Sequence, residues 1–225
     1  MNYTSLFIDL DNTLLDFNKA ESVAIREVLA ENDLPHDDKT VKTYSEINKS
    51  FWERFERKEI TKDAIFIGRF EVFLKILGTD KSPQEIAKEY GKQLSMGYYT
   101  VKGAFPILDY LKSRGYKLYA TTNGISFTQY RRIERSGLKP YFDKVFVSED
   151  AKHQKPEKEY FDYVINNIAE KNKSNMLIVG DSQSSDILGG INAGIDTCWY
   201  NPNGEKKKYF SRYEISSLEQ LKDIL

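Results

Sequence analysis

Asp9 and Asp11 stand one residue apart, directly after the apolar run Leu6-Phe7-Ile8. Side chains alternate along a strand, so if that run is a buried strand, both carboxylates leave its tip on the same side of the backbone. Two like charges held so close cannot both stay ionised cheaply without a cation. The pair therefore calls for a divalent metal, or for one nucleophilic and one protonated carboxyl group. The plain alternative is an acidic turn, because Asp and Asn favour turns and the chain holds 34 acidic residues. The rest of the chain decides between them.

Three further segments place matching chemistry at the ends of β-rich runs. Tyr119-Ala120-Thr121-Thr122-Asn123-Gly124 offers the Thr122 hydroxyl and backbone N–H groups that could hold an anion, with Gly124 allowing close approach; taken alone it also reads as an ordinary Asn-Gly turn. Lys155-Pro156 puts Pro156 at the expected first position of a helix with Lys155 just before it. A lysine is electrostatically wrong there unless it serves an anion such as phosphate, or is simply a solvated surface residue. Ile178-Val179-Gly180-Asp181 through Asp186 ends another run with a second acidic pair. Asp181 would join Asp9 and Asp11 in an oxygen-rich Mg²⁺ site, and Asp186 is expected to support that metal rather than to act only as the N-terminal acid of its helix.

These segments need elements to position them. After Asp16 the pattern is helical to about Tyr99: a first helix opening at Asn18 or Glu21, a second over Val41 to Lys58, a third capped by Thr61 and ending near Gly78, and a fourth opening at Ser82-Pro83-Gln84-Glu85. From Gly103, helices alternate with the runs Lys117 to Thr122, Lys144 to Val147, Met176 to Val179 and Asp196 to Tyr200. The intervening helices are expected over Phe105 to Arg114, Thr128 to Ser136, Pro156 to Ile168 and Asp186 to Ala193. With Leu6-Phe7-Ile8 this makes five strands, the pattern of an α/β fold: a doubly wound, mostly parallel, Rossmann-like sheet. The expected division is a core of residues 1–15 and 100–225 and an inserted all-helical domain of residues 16–99. Ligands of such sheets bind beyond the carboxyl ends of the strands, where Asp9 and Asp11 lie.

Taken in order, the four segments resemble the haloacid dehalogenase (HAD) superfamily of phosphatases: D-x-D-x-T at Asp9 to Thr13, the Thr/Ser loop at Thr122-Asn123, the lysine at Lys155, and G-D-x-x-x-x-D at Gly180 to Asp186. The resemblance covers essentially the whole chain, since the helical insertion is similar to that superfamily's C1 cap. Asn48-Lys49-Ser50-Phe51-Trp52, Gly68-Arg69-Phe70, Glu134-Arg135-Ser136-Gly137-Leu138 and the run Asp186 to Gly194 resemble its YjjG-type pyrimidine 5′-nucleotidase branch. One stretch departs: a glycine-containing turn is expected between Glu149 and Lys155, and Ala151-Lys152-His153-Gln154 stands there.

The resemblance implies a Mg²⁺-dependent phosphomonoesterase acting through an aspartyl-phosphate, most readily on pyrimidine nucleoside 5′-monophosphates. Asp9 is the implied nucleophile and Asp11 the acid and base. Thr122, the Asn123 amide and Lys155 would stabilise phosphoryl charge. The metal would sit on Asp9, the Asp11 backbone carbonyl and Asp181, with Asp186 in support. A sugar-phosphate or phosphoglycolate phosphatase and a phosphomutase share these motifs, and a phosphonatase would need a cap lysine, for which Lys49 is a formal candidate. A haloacid dehalogenase lacks the acid corresponding to Asp11. From another class, a phospho-signalling receiver would carry its phosphorylated Asp on the third strand, and Lys144 to Val147 ends without one. A non-catalytic interaction protein would be expected to have lost a catalytic residue.

On a helical wheel Arg69 falls inside the apolar arc of its helix and Asn48 among Phe55, Val41, Phe51 and Tyr44, which nominates both as substrate contacts of the cap. The alternative pairs Arg69 with a cap carboxylate such as Glu53 or Glu56.

At 225 residues and 40% hydrophobic, the chain can bury a sizeable core. Its 33 basic against 34 acidic residues attract neither nucleic acid nor anionic membrane, so the expected partner is a small phosphomonoester. Cys198 is the sole cysteine, which excludes an intrachain disulfide and fits a reducing, cytoplasmic compartment. No run approaches the length of a membrane span, Met1-Asn2-Tyr3-Thr4 lacks the basic start of a signal peptide, and a monomer or weak dimer is expected.

Overall fold

The computed structural model describes residues 3–225. In chain order, β1 (Ser5–Asp9) leads into α1 (Phe17–Glu31), α2 (Asp38–Glu56), α3 (Lys62–Leu77) and α4 (Pro83–Leu94). The alternating part follows: α5 (Ala104–Ser113), β2 (Lys117–Thr122), α6 (Ser126–Arg135), β3 (Lys144–Val147), α7 (Ser148–Ala151), α8 (Lys158–Asn166), β4 (Met176–Gly180), α9 (Leu188–Ala193), β5 (Asp196–Tyr200) and β6 (Tyr213–Ile215). The chain divides into two compact units, residues 1–16 with 99–225 and residues 17–98.

The first unit is built on one six-stranded sheet of order β3-β2-β1-β4-β5-β6, in which every neighbouring pair is parallel. Its central strands are buried along their whole length, which is why they read as continuous apolar runs. Alternate residues feed two layers. Leu6, Ile8, Leu118, Ala120, Leu177 and Val179 pack with Ile107, Leu108 and Leu111 of α5. Phe7, Tyr119, Phe146 and Ile178 pack with Tyr160, Phe161 and Val164 of α8. The order reverses at β1, whose neighbours are β2 on one side and β4 on the other. This is the switch point of a doubly wound sheet, and it opens a crevice at the tips of β1 and β4.

The second unit is α1 to α4, with helix starts set by local chemistry. Asp37, Thr61 and Ser82 each accept a hydrogen bond from the backbone N–H three residues on, and Gly78 closes α3 in the left-handed conformation at φ 68°. Its interior is aromatic: Tyr44 lies with its ring 5.3 Å from Phe70, 5.3 Å from Phe73 and 5.2 Å from Tyr90. Among the described residues, no helix is long and apolar enough to cross a membrane.

Three local expectations need correction. A sixth strand, β6, extends the sheet beyond β5; at three residues it carries too little pattern to stand out. The helix after Lys155 begins at Lys158, with Glu157 in the N-cap position. Pro156 is therefore outside it, and the Lys155-Pro156 bond is cis. Lys155 is thus not a helix N-terminal residue, and its side chain is buried at the sheet end instead of facing solvent. Asp186 lies in a single π-helical turn, Gln183–Ile187, capped by Ser182, and α9 starts only at Leu188.

Candidate active site

At the tip of β1, Asp9 meets a buried lysine from the segment before α8. Lys155 is 1% exposed, and its ammonium donates to Asp9 Oδ1 at 2.6 Å, to Asp186 Oδ1 at 2.7 Å and to the Thr121 carbonyl at 3.0 Å. All three donors of the lysine are spent, so its position is determined from β1, β2 and the turn after β4 together. Burial works against the Lys155 charge, but Asp186 and Asp9 outweigh it and hold the ammonium well above its ordinary pKa. Asp186 is fully buried, and its second oxygen accepts from the Ser182 N–H at 3.1 Å. Gly180 makes room for it: a Cβ there would lie 2.2 Å from Asp186 Oδ2.

Asp181 completes the cluster from the end of β4. Its N–H donates to Thr13 Oγ1 at 3.1 Å, and its carbonyl accepts from Trp199 Nε1 at 2.8 Å. Carboxylate oxygens of Asp9, Asp181 and Asp186 all lie within 4.8 Å of one another. Burial pushes Asp9 up to about 7 against the attraction of Lys155, with Asp186 and Asp11 adding to the rise. Burial likewise raises Asp181, helped by the charges of Asp9 and Asp186. Three carboxylates against one ammonium leave a formal charge of −2. That excess, on hard oxygen donors, is what a single divalent cation such as Mg²⁺ neutralises. Asp9 and Asp181 keep oxygens for it, whereas both oxygens of Asp186 already accept hydrogen bonds.

Asp11 turns to a different set of partners. Its Oδ1 accepts from the Arg132 guanidinium, and its Oδ2 from Gln129 Nε2 at 2.8 Å. The carboxylate is outside the acidic cluster, so a metal role for Asp11 is left to its backbone carbonyl. Gln129 and Arg132 were not anticipated from the sequence. The signal that could have found them is two polar residues at i and i+3 on the face of α6 that also buries Ile133. Thr122 Oγ1 accepts from Gln129 Nε2 at 2.7 Å and from the Gly124 N–H at 3.0 Å. Asn123 folds back on Lys155, donating to its carbonyl at 2.8 Å and accepting from its N–H at 2.9 Å. It thereby locks the β2 loop to the lysine segment.

The rim lacks the expected glycine in sequence, and a lysine takes up a left-handed position there. Lys152 closes α7 at φ 56°, the left-handed conformation that glycine adopts without penalty. A side chain there costs roughly 1–2 kcal/mol. The exposed His153 is 3.5 Å from Glu157, and the ring of the exposed His36 lies 3.0 Å from the Leu34 carbonyl.

Within the helical unit, Asn48 and Arg69 are both buried and joined to each other. Arg69 donates to Asn48 Oδ1 at 2.5 Å, and Asn48 donates to Glu21 Oε1 at 2.6 Å, while Ser45 donates to the other Glu21 oxygen. The Arg69 guanidinium lies 5.0 Å from the rings of both Phe70 and Tyr90. The cap carboxylate shown to answer its charge is Glu21, reached through Asn48.

Residues 6–200 match the family model described as haloacid dehalogenase-like hydrolase. The pyrimidine 5′-nucleotidase PynA of Streptococcus pneumoniae is 39% identical over 227 residues, which span 100% of this chain and 96% of PynA. The pyrimidine 5′-nucleotidase YjjG of Escherichia coli is 30% identical over 227 residues, spanning 100% and 99%. A crystal structure of the HAD-hydrolase YfnB of Bacillus subtilis, bound to magnesium, matches with a TM-score of 0.95 and 38% identity, covering 100% of this chain and 99% of YfnB.

Proposed function

The chain belongs to the haloacid dehalogenase-like hydrolases, and from that premise we propose that it is a Mg²⁺-dependent phosphomonoester hydrolase working through an aspartyl-phosphate on Asp9, with pyrimidine nucleoside 5′-monophosphates as substrates. One observation carries the chemistry: a buried carboxylate held by Lys155, beside Asp181 and Asp186, with a second and differently partnered carboxylate two residues on. The substrate class rests on the two nucleotidases that match this chain over its full length.

In the first half-reaction an Asp9 oxygen attacks phosphorus as the ester P–O bond breaks, and Asp11 gives its proton to the departing alkoxide. In the second, Asp11 takes a proton from water, the water oxygen attacks the same phosphorus, and Asp9 and inorganic phosphate are released. The Thr122 hydroxyl would donate to the phosphoryl oxygens, and the Lys155 ammonium, its three hydrogens held by Asp9, Asp186 and the Thr121 carbonyl, would offset their charge from beside Asp9. Mg²⁺ held by Asp9 and Asp181, with Asp186 behind them, would keep Asp9 ionised and screen the meeting of two anions.

The deciding experiment is a phosphate-release screen with Mg²⁺ across nucleoside monophosphates, sugar phosphates and phosphoglycolate. UMP, dUMP and dTMP should be turned over faster than AMP and GMP. A preference for β-glucose 1-phosphate or phosphoglycolate would reject the nucleotide assignment while leaving the phosphatase chemistry standing.

Asp11→Asn tests the division of labour between the two aspartates. Turnover of UMP should fall by about 10²–10⁴-fold, the range of a lost acid/base group. An aryl ester such as p-nitrophenyl phosphate, whose leaving group needs no proton, should lose less. Equal losses for the two esters would remove Asp11 from the acid role.

Asn48 and Arg69 remain the proposed nucleotide contacts of the cap. Arg69 Nε, buried and without a hydrogen bond among the described residues, is a donor still to be used. Arg69→Ala should raise KM for UMP about tenfold, a loss of roughly 1.4 kcal/mol, while kcat for acetyl phosphate holds. A lowered Tm with unchanged KM would make the arginine purely structural.

A further inference from the structure

Asp11, Gln129, Thr122 and Arg132 form one hydrogen-bonded ladder in which the last three are 1% exposed, while the Asp11 side chain remains 28% exposed. We propose, resting on the acid/base reading of Asp11, that Gln129 and Arg132 are positioning residues: they lock the acid/base carboxyl to the phosphate-binding hydroxyl so that the two are presented to substrate as a unit.

The donor and acceptor count supports this. The Gln129 amide NH₂ has two hydrogens, and they go to Asp11 Oδ2 and Thr122 Oγ1. Its carbonyl oxygen accepts from Arg132 at 3.1 Å, and the same Arg132 nitrogen donates to Asp11 Oδ1. Each Asp11 oxygen is thus held by a different residue of α6, which fixes the rotation of the carboxyl group as well as its position. On Thr122, the Gln129 and Gly124 donors occupy both lone pairs of Oγ1. The hydroxyl hydrogen can then only be donated outward, to an acceptor such as a phosphoryl oxygen. The path of the Gln129 side chain depends on the missing side chain at Gly124, where a Cβ would lie 2.6 Å from Gln129 Cδ. A buried polar cluster is a costly way to fill space, and apolar side chains of similar volume often serve stability as well or better. Packing alone gives no reason for a buried amide and guanidinium to converge on the half-buried Asp11 carboxylate and tie it to the Thr122 hydroxyl.

The test is a double-mutant cycle in kcat. Gln129→Met keeps the volume and removes both donors; in the wild-type background it should lower kcat for UMP about 10–100-fold, the scale of a misplaced catalytic group. In the Asp11→Asn background the same change should cost about tenfold less, leaving only the part that acts through Thr122. A thermal melt confirms that each variant is folded. Gly124→Ala, whose added methyl displaces the amide without removing it, repeats the cycle if Gln129→Met does not fold. A wild-type kcat for Gln129→Met, or an equal cost in both backgrounds, overturns the positioning role. The underlying reading fails separately and visibly, by Asp11→Asn alone retaining wild-type turnover.

Discussion

Asp9→Asn is expected to abolish phosphate release and to leave a folded protein that, without metal, no longer loses as much stability as pH rises toward neutrality. The amide oxygen is too weak a nucleophile to form the covalent intermediate, and the Asp11 carboxylate is held away by Gln129 and Arg132. The stability half follows from linkage. Asp9 is pushed up to about 7 from the ordinary value of 3.8, chiefly by burial. Between those pH values the native state keeps a proton that the unfolded state has released, so stability is greatest below about 4 and falls as pH rises through about 7. Asparagine carries no such proton and skips that segment. Asp181, raised in the same direction, leaves the rest of the slope in place. Melting curves of metal-free wild type and variant from pH 4.5 to 8 measure this, alongside a phosphate-release assay. Measurable UMP turnover at the wild-type rate would sink the nucleophile assignment, and parallel pH slopes would sink the electrostatic one.

Lys155→Met should have the largest effect on stability of any single change at the site. It removes the ammonium that pairs with both Asp9 and Asp186, and breaking a buried ion pair from one side typically costs about 3–5 kcal/mol. For a protein of this size each kcal/mol is roughly 2–4 °C in Tm, so a fall on the order of 10 °C is expected in metal-free buffer at pH 7.5. Two manipulations should shrink the deficit. Mg²⁺ replaces part of the missing positive charge, and a pH near 5 lets the crowded carboxyls take up protons instead of repelling one another. Activity should fall by about 10²–10³-fold or more even with saturating metal, because the fixed positive charge that holds Asp9 beside the transferring group is gone. Calorimetry with and without Mg²⁺ at both pH values checks this. A Tm within a degree or two of wild type in the metal-free protein would show that the lysine is not holding the cluster together.

The difference between what can and cannot be read from the chain follows the range of the interactions. Strand tips are local: an apolar run followed by acids, hydroxyls or a lysine marks Asp9, Asp11, Thr122, Lys155 and Asp181 because the sheet is buried on both faces and its polar residues collect where the strands end. Helix starts at Lys62 and Pro83 are local too, each set by a cap one residue before, whereas α2 opens at Asp38 behind the Asp37 cap, three residues ahead of the expected Val41. The family pattern needs only the order of these short segments, so it is legible across the whole length.

Tertiary structure alone decided which of these groups touch. The strand order β3-β2-β1-β4 brings residues 9, 121 and 186 onto the Lys155 ammonium, although 146 positions separate Asp9 from Lys155. Only that closure shows Asp186 to be a partner of Lys155, and Asn123 to be a clasp on the lysine backbone. Gln129 and Arg132 lay outside the motifs because their role depends on the rotation of α6 against the β1 tip and on the space left by Gly124. The residue types that can do the chemistry are therefore written in short stretches of chain. Their pairing, protonation and orientation arise from burial and contact across the fold, since a charge in a dry interior is settled by the neighbours that close around it.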